Sequence, residues 1–243
     1  MTAYNACMST NTLTLHGISS KATQSLLAVL TSQYAKQSGV TVNIESVGGV
    51  DAAKRVQAAE PFDLVFLASD AIDKLMAAEH VVPGSRCDWV NSSVAVAVRS
   101  GLPMPRMGTE KELQDAIQSA ASLCYSTGPS GTYLVSVFKR WGMFEALEPR
   151  LLVAPPGIPV ARLLAEGKAD LGFQQRSELI HQPGIQVIGD LPEPVAYITT
   201  FSACIGLAAA SDPKRKQAVG DFLEFLRAPE HNGLKQSHGM MPL

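Results

Sequence analysis

Residues 124–142, with the sequence CYSTGPSGTYLVSVFKRWG, place small polar residues directly ahead of a helical pattern. The first turn of a helix carries backbone N–H groups without intrahelical partners and about half a positive charge. Glycine lets a ligand approach the backbone closely, and serine and threonine hydroxyls add further donors. The segment therefore predicts either a turn that only caps the helix or a cradle of donors that binds an anion.

Three more turns have the same chemistry: ISSKAT (18–23), VGGVDA (47–52) and APPGIPVA (154–161). Any one of them is explained as well by helix capping, but the four together could line one cleft. We predict that amides or hydroxyls of these turns bind an anion. The residues concerned are Ser19, Ser20, Gly48, Gly49, Ser126, Thr127, Ser130 and Gly131. Lys54 and Arg55 could add positive charge there, or lie solvated at the surface.

The elements that must position these turns alternate between strands and helices. In the first eighty residues, TLTLHGI, VTVNIESV and FDLVFLA predict three strands, each followed by a helical pattern. Ser19 or Ser20 would cap the first helix, and Ser69 or Asp70 the third. Such an order predicts a parallel sheet covered by helices, with ligands bound beyond the carboxyl ends of the strands.

The rest of the chain predicts a second α/β unit together with two long apolar strands. The long strands are WVNSSVAVAVRSG (89–101) and AYITTFSACIGLAAA (196–210), and a terminal helical pattern follows the second. We expect one lobe from residues 1–91 plus 200–243 and another from residues 92–199.

Composition excludes several classes of protein. The chain has 243 residues, of which 46% are hydrophobic and 17% charged, and a net charge of -2, which fits a globular protein without a basic nucleic-acid surface. Apolar runs such as SVAVAV are too short to insert into a membrane. The cysteines Cys7, Cys87, Cys124 and Cys204 show no CxxC spacing, so we expect no metal site, and we expect no cofactor.

The order and spacing of the motifs resemble the type II periplasmic solute-binding proteins, in the branch of the molybdate-binding proteins of ABC transporters. The matching pieces include TLHGISS, GVDAAKRVQAAEPFDLVFLASDAIDKL, GPSGTYL, LLAEGKADLGFQQRSEL and FLEFLRAPEHNGLKQSHGM. The resemblance implies an α/β fold of two Rossmann-like lobes joined by two crossing strands, with an oxyanion held between them. It further places Gly157, Ile158 and Gln175 among the ligand-binding residues.

Two departures from that branch affect the ligand. VGGV stands where the molybdate binders carry serines, and Gln175 stands where they commonly carry a tyrosine. The combination of YSTGPSG with LGFQQRSEL resembles a divergent branch that includes aconitate isomerase. We therefore expect a small anionic ligand, either a molybdate-like oxyanion or a di- or tricarboxylate.

Two functions remain open from the sequence. A solute-binding protein for transport would close on its ligand and deliver it to an ABC permease. An isomerase would interconvert cis- and trans-aconitate and needs an acid/base group, for which His16 is the first candidate and Tyr125 and Glu178 are weaker ones. A cytoplasmic ligand sensor is the last alternative, because no DNA-binding module fits ahead of the first strand.

The N-terminal segment MTAYNACMSTNTLTLHG lacks the features of a secretory signal. We therefore expect a periplasmic protein if a signal peptide was removed and a cytoplasmic protein otherwise.

Overall fold

The computed structural model describes residues 13–155 and 157–243. The strands are β1 (Thr14–Ser20), β2 (Thr41–Val47), β3 (Leu64–Ala68), β4 (Cys87–Arg99), β5 (Leu123–Tyr125), β6 (Leu151–Val153), β7 (Leu171–Gln175), β8 (Ile185–Asp190), β9 (Ile198–Ile205) and β10 (Met241–Pro242). The helices are α1 (Gln24–Ser38), α2 (Gly49–Gln57), α3 (Ser69–Ala77), α4 (Glu110–Ser119), α5 (Pro129–Arg140), α6 (Phe144–Leu147), α7 (Val160–Ala165), α8 (Arg176–Leu179), α9 (Leu207–Ala210), α10 (Pro213–Arg227) and α11 (Asn232–Ser237). Short 3-10 helices lie at Lys21–Thr23, Glu148–Arg150 and Pro229–His231.

The first lobe is built on the parallel strands in the order β2, β1, β3. Strand β9 runs antiparallel beside β3, and the first part of β4 runs antiparallel beside β9. All five residues of β3 are buried, as a strand covered on both faces requires. The predicted parallel sheet of the N-terminal segment is confirmed.

The second lobe continues from the same strand β4. Its Val94–Arg99 part pairs with β7 on one side and β8 on the other, and parallel strands β5 and β6 extend the sheet beyond β7. Two α/β lobes are therefore joined by the strands β4 and β9, which is the predicted fold class. The sheet partners of β4 change between Ser93 and Val94, while the lobe limits at 91/92 and 199/200 stay a prediction.

Each sheet is covered by helices on both faces. In the first lobe α1 and α10 bury one face around Phe66, Trp89 and Phe222, while α2 and α3 cover the other. In the second lobe α4 and α5 pack around Phe138 and Phe173, and α7 covers the opposite face. Burial of these side chains supplies the main driving force for folding.

Helix α1 shows how the local pattern becomes structure. Leu26, Leu27, Leu30 and Tyr34 form its buried stripe, and Gly39 ends the helix with a φ of 74°. The spacing of these apolar residues and the glycine that follows them predict both features from the sequence. A positive φ of this kind suits glycine because it has no Cβ.

The predicted side-chain caps of two helices were wrong. Strand β1 extends to Ser20, the 3-10 helix follows it, and neither serine accepts a capping hydrogen bond from the first turn of this helix or of α1. Helix α3 begins after Ala68, also without a side-chain cap from the described residues. Over the described ranges, no helix combines the length and apolar character needed to cross a bilayer.

Candidate functional site

A cleft of about 320 Å³ lies between the two lobes, where the carboxyl ends of several strands meet. Residues of both lobes line it, including the starts of α2 and α5. The predicted ligand residues on its wall are Gly48, Gly49, Ser126, Thr127, Ser130, Gly157, Ile158 and Gln175. The structure thus brings most of the residues selected from the sequence around one cavity.

Helices α2 and α5 begin on this cleft without a side-chain cap from the described residues. Gly48 precedes α2 and Gly128 precedes α5. Two helices of comparable length that begin elsewhere are capped. The side chain of Thr109 accepts a backbone N–H of α4 at 3.2 Å, and that of Asp212 accepts one of α10 at 2.9 Å. The amides of Gly49, Val50 and Asp51 at the start of α2 therefore remain available to a ligand. At the start of α5 the Ser130 amide alone does, because Pro129 has no N–H and the Gly131 amide donates to the Gly128 carbonyl at 3.1 Å.

The hydroxyls of Ser126 and Ser130 lie 3.2 Å apart at the start of α5. Ser130 is buried, and both residues line the cleft. A hydroxyl pair of this kind donates to an anion with one proton while the other links the two side chains. The turn that first suggested an anion site therefore presents its hydroxyls to the cleft.

Ser19 and Ser20 are neighbours on β1 but have different surroundings. The Ser19 hydroxyl lies 2.6 Å from that of Ser46 on β2, and Ser19 does not line the cleft. Ser20 is only 7% exposed, and its Oγ has no hydrogen-bond partner among the described residues. A Cβ added to Gly49 would lie 3.6 Å from the Ser20 Cβ. Ser20 therefore holds an unused hydroxyl beside the start of α2.

The other predicted glycine positions have distinct roles. A Cβ on Gly131 would lie 1.8 Å from the carbonyl oxygen of Ser126, so this glycine lets α5 pack on its own turn, and it does not line the cleft. Gly157 has a φ of 79° and lines the cleft. The Ile158 amide donates to the Pro155 carbonyl at 3.0 Å and is already engaged.

Gln174 and Gln175 end β7 on the cleft wall. The Gln175 Nε2 donates to Thr199 Oγ1 at 2.7 Å, and its Oε1 has no partner among the described residues. The carboxamide of Gln175 is thus held at one end and open at the other. The sequence analysis missed Gln174, although it stands directly beside the residue that was selected.

Glu178 on α8 is a titratable group in the cleft wall. Gln174 Nε2 donates to its Oε2 at 2.7 Å. Burial raises the pKa of Glu178 to about 7, against the opposing effects of the Lys21 ammonium and of this hydrogen bond. The carboxyl group therefore exchanges its proton near neutral pH.

Positive charge in the cleft comes from Lys21 and Lys54, whose side chains are exposed on its wall. The sequence analysis missed Lys21, which directly follows the ISS turn. Arg55 instead pairs with Glu45 at 2.6 Å and Glu60 at 2.7 Å and does not line the cleft.

His16 and Tyr125 do not line the cleft. His16 is exposed on β1, four residues before Ser20, which is about 13 Å along a strand. Its backbone N–H donates to Asp63 Oδ2 at 2.8 Å. Tyr125 is partly buried at the end of β5, and burial raises its pKa. The geometric basis for an acid/base role of His16 is therefore lost.

A second space of about 630 Å³ adjoins the cleft. It shares Gly49, Lys54 and Thr127 with the cleft. Its far wall carries Tyr133 and Tyr197, whose rings stack at 4.1 Å. The opening between the lobes is therefore larger than the immediate surroundings of α2 and α5.

The described residues contain no cluster of three or more His, Cys, Asp or Glu side chains that could hold a metal ion. Cys124 and Cys204 are free and buried, and burial raises the pKa of each thiol to about 12. Cys87 is also free, whereas Cys7 lies outside the described residues.

Comparison with known proteins places these features in context. The sequence pattern of a family described as bacterial extracellular solute-binding protein matches residues 15–241. The aconitate isomerase of Pseudomonas sp. is 33% identical over 211 residues, which cover 83% of this chain and 80% of that protein. The molybdate-binding protein ModA of Rhodobacter capsulatus is 27% identical over 184 residues, or 74% of this chain and 69% of that protein.

Among solved structures, the periplasmic molybdate-binding protein of Azotobacter vinelandii superimposes with a TM-score of 0.76 at 21% identity. The superposition covers 93% of this chain and 98% of that one. The predicted class of two α/β lobes with crossing strands is confirmed by this likeness.

Proposed function

The chain belongs to the bacterial extracellular solute-binding proteins, and from this premise we propose that it captures a small organic carboxylate or other oxyanion in the cleft between its lobes. The resemblance noted in the motifs is confirmed at the level of the family. The identity of the ligand is the part proposed here.

The observation that carries the proposal is the convergence of unused donors on one cavity. Helices α2 and α5 come from different lobes, and both begin there with no cap from a side chain that the structure describes. Ser20 does not line the cleft, but its buried hydroxyl, which has no described partner, lies beside the start of α2. Since a buried donor without a partner is destabilising, a ligand that accepts these hydrogen bonds gains affinity. Neutral donors and helix dipoles select for negative charge.

A carboxylate with more than one charged group fits the wall better than a compact tetrahedral dianion. Lys21 and the start of α2 lie in the first lobe, whereas Ser126 and Ser130 lie in the second, so the donors are spread around the cleft. The Glu178 carboxyl on the same wall repels a nearby dianion whenever it is ionised. A di- or tricarboxylate can place its charged groups on the separate donors, so that an uncharged carbon and not a carboxylate of the ligand faces Glu178.

A second candidate function is the interconversion of cis- and trans-aconitate. It is favoured by the 33% identity to the aconitate isomerase of Pseudomonas sp. and by the presence of a titratable group on the cleft wall, which a binding protein does not need. The same donors would bind the substrate carboxylates. The two functions therefore share the way the ligand is bound and differ in whether the bound ligand is chemically converted.

The test is a thermal-shift series followed by calorimetric titration. The protein is mixed separately with cis-aconitate, trans-aconitate, tricarballylate, citrate, molybdate and sulfate. A ligand bound only by the folded state raises the melting temperature, and we expect the tricarboxylates to raise it more than molybdate or sulfate. Absence of a shift with all six probes would overturn the proposal, and a shift with molybdate alone would replace the carboxylate with a tetrahedral oxyanion.

The partner and location proposed for this protein follow from the family. We propose that it acts outside the cytoplasm and, if it serves transport, hands its ligand to an ABC permease. Fractionation of the source cells with an antibody against the protein tests the location. Recovery only in the cytoplasmic fraction would contradict the proposed location and would also rule out delivery of the ligand to an ABC permease.

A further inference from the structure

We propose that Glu178 is the proton-transfer group of the cleft and that Gln174 positions it. In this role Glu178 removes a proton from the carbon between a carboxylate and a double bond of a bound tricarboxylate and returns it at the other end of the double bond. The inference rests on the second candidate function above and assigns its chemistry to this chain's own residues.

The position of Glu178 is fixed by a chain of two hydrogen bonds. The backbone N–H of Val160, at the start of α7, donates to Gln174 Oε1 at 3.2 Å. That contact orients the carboxamide so that Gln174 Nε2 donates to Glu178 Oε2 at 2.7 Å. Gln174 is 4% exposed and has little room to rotate. One carboxylate oxygen of Glu178 is therefore anchored by a buried side chain.

The other oxygen is available to a ligand. No described residue donates a hydrogen bond to Glu178 Oε1, and Glu178 lines the cleft. The 3-10 helix Lys21–Thr23 of the first lobe packs against α8 of the second. A ligand between the lobes therefore meets Lys21 on one side and Glu178 on the other.

Asp51 is the other acidic residue on the cleft wall, and it suits proton transfer less well. It is exposed in the first turn of α2, and no described residue donates a hydrogen bond that would hold its carboxylate in place. Glu178 is instead partly buried and anchored by Gln174, and desolvation raises its pKa to about 7. A group with that pKa accepts and returns a proton at neutral pH with little loss in either direction.

The proposed reaction conserves all atoms and electrons. The Glu178 carboxylate accepts the methylene proton, so a C–H bond breaks and an O–H bond forms. The released electron pair is shared across the three carbons and the adjoining carboxylate. The Glu178 carboxyl group, whose proton can exchange with solvent before transfer, then delivers a proton to the carbon at the far end, the double bond moves by one position, and the carboxylate is regenerated. Lys21 and the first-turn amides of α2 and α5 stabilise the negative charge that develops on the ligand.

The charged groups around Glu178 predict how the reaction depends on pH. Lys21 is the charge that acts on Glu178 and opposes the effect of burial on its pKa. Charged side chains on the remaining elements packed against α8 have partners of their own, namely Asp190 with Arg176, Arg162 with Glu166, and Asp88 with Arg86. Arg99, at the end of β4, lies against Gly167. We therefore expect the plot of kcat/KM against pH to show a single inflection near pH 7, with kcat/KM falling at lower pH because Glu178 becomes protonated.

The experiment compares the wild-type protein with Glu178→Gln and, as a matched control, Glu224→Gln, which changes an exposed glutamate on α10. Interconversion of cis- and trans-aconitate, deuterium uptake by the ligand in D₂O, and ligand affinity by calorimetry are measured for each. We expect Glu178→Gln to lose at least about a hundredfold in rate and to lose deuterium uptake, with affinity within about threefold of wild type. Glu224→Gln should match the wild type in all three.

A second variant tests the positioning role. Gln174→Met keeps the length of the side chain and removes its donor to Glu178. Because that hydrogen bond lowers the pKa of Glu178, we expect the inflection to move to higher pH, kcat to fall and KM to change little. Glu178→Asp, whose carboxylate is withdrawn from Gln174, should likewise retain binding and lose rate. This variant also carries the test if Glu178→Gln does not fold.

The outcomes separate this inference from the proposals it builds on. A wild-type protein that binds tricarboxylates but neither interconverts the isomers nor takes up deuterium would overturn the isomerase and the role of Glu178, and leave carboxylate capture standing. Isomerisation that persists at the wild-type rate in Glu178→Gln would overturn the role of Glu178 alone. An unshifted inflection in Gln174→Met would overturn the positioning role.

Discussion

Arg215 on α10 binds both carboxylate oxygens of Asp63, a residue 152 positions earlier in the chain. The Arg215 Nε donates to Asp63 Oδ1 at 2.9 Å, and its terminal nitrogen donates to Oδ2. Asp63 is fully buried at the start of β3 and also accepts the backbone N–H of His16. This pair therefore links α10 to the start of β3 and, through the His16 N–H and the Thr14 carbonyl that Arg215 also contacts, to β1.

Arg215→Met should destabilise the protein strongly, since it leaves a buried carboxylate without its counter-charge. We expect the free energy of unfolding in urea to fall by about 3–5 kcal/mol. Lys111→Met is the control, because Lys111 and Asp115 form an exposed pair at 2.6 Å whose loss should change stability by less than about 1 kcal/mol. Equal losses in the two variants would contradict this account of the buried pair.

Ser19 and Ser20 should respond in opposite ways to replacement by alanine. Ser20→Ala removes a buried hydroxyl without a described partner, so stability should be kept, while affinity for the ligand falls about threefold to tenfold. Ser19→Ala breaks the 2.6 Å contact with Ser46 and should lower stability by about 1 kcal/mol with unchanged affinity. Urea unfolding and calorimetric titration of both variants measure the contrast, and a loss of affinity confined to Ser19→Ala would reverse our assignment.

Gly131→Ala should be poorly tolerated because its new Cβ would meet the Ser126 carbonyl oxygen, 1.8 Å from the ideal position. We expect a loss of about 1–3 kcal/mol or more in thermal or urea unfolding. Gly220→Ala, in the interior of α10, is the matched control. A Cβ there meets nothing within 4 Å, and alanine favours the helix over glycine by about 1 kcal/mol. If both alanine variants gained stability, the close packing at Gly131 would be refuted.

Glu178 should make stability depend on pH in a defined window. Because its pKa in the folded protein is raised to about 7 from an ordinary 4.5, the folded state keeps a proton that the unfolded state has released between these values. Stability contributed by this group therefore falls as the pH rises through the window. Glu178→Gln should match the wild type near pH 4 and exceed it above pH 7 by up to about 3 kcal/mol. Urea unfolding at several pH values measures the difference, and a constant gap across the series would contradict the shifted pKa.

The strands and longer helices could be predicted because their patterns are local. The apolar run of β3 and the buried stripe of α1 each follow from side chains that the sequence states directly. The strand predicted over residues 196–210 was wrong at its end, where β9 stops at Ile205 and α9 follows, and the short elements α11 and β10 were not predicted. They contain few residues and depend on contacts made far along the chain, as β10 does when it pairs with β4.

The candidate site divides in the same way. The small polar turns are visible in the sequence, and most of them line the cleft. The difference between Ser19 and Ser20 is invisible, because adjacent residues of a strand face opposite sides and the register with Ser46 decides which one is engaged. His16 was selected because it is close in sequence to the ISS turn, but it lies four residues before Ser20 on β1 and does not line the cleft. The pKa of Glu178 depends on burial by elements distant in the chain.

Strand β4 passes from one sheet to the other without a break, pairing with β9 before Val94 and with β7 and β8 after it. A change in the width of the opening must then appear as torsion in this ribbon and its neighbour, because no loose linker absorbs it. The twist of β4 and β9 at this junction therefore sets how far apart the two lobes lie before a ligand binds. The stiffness of β4 at residues 93–94 would then influence the affinity for the ligand, although neither residue lines the cleft.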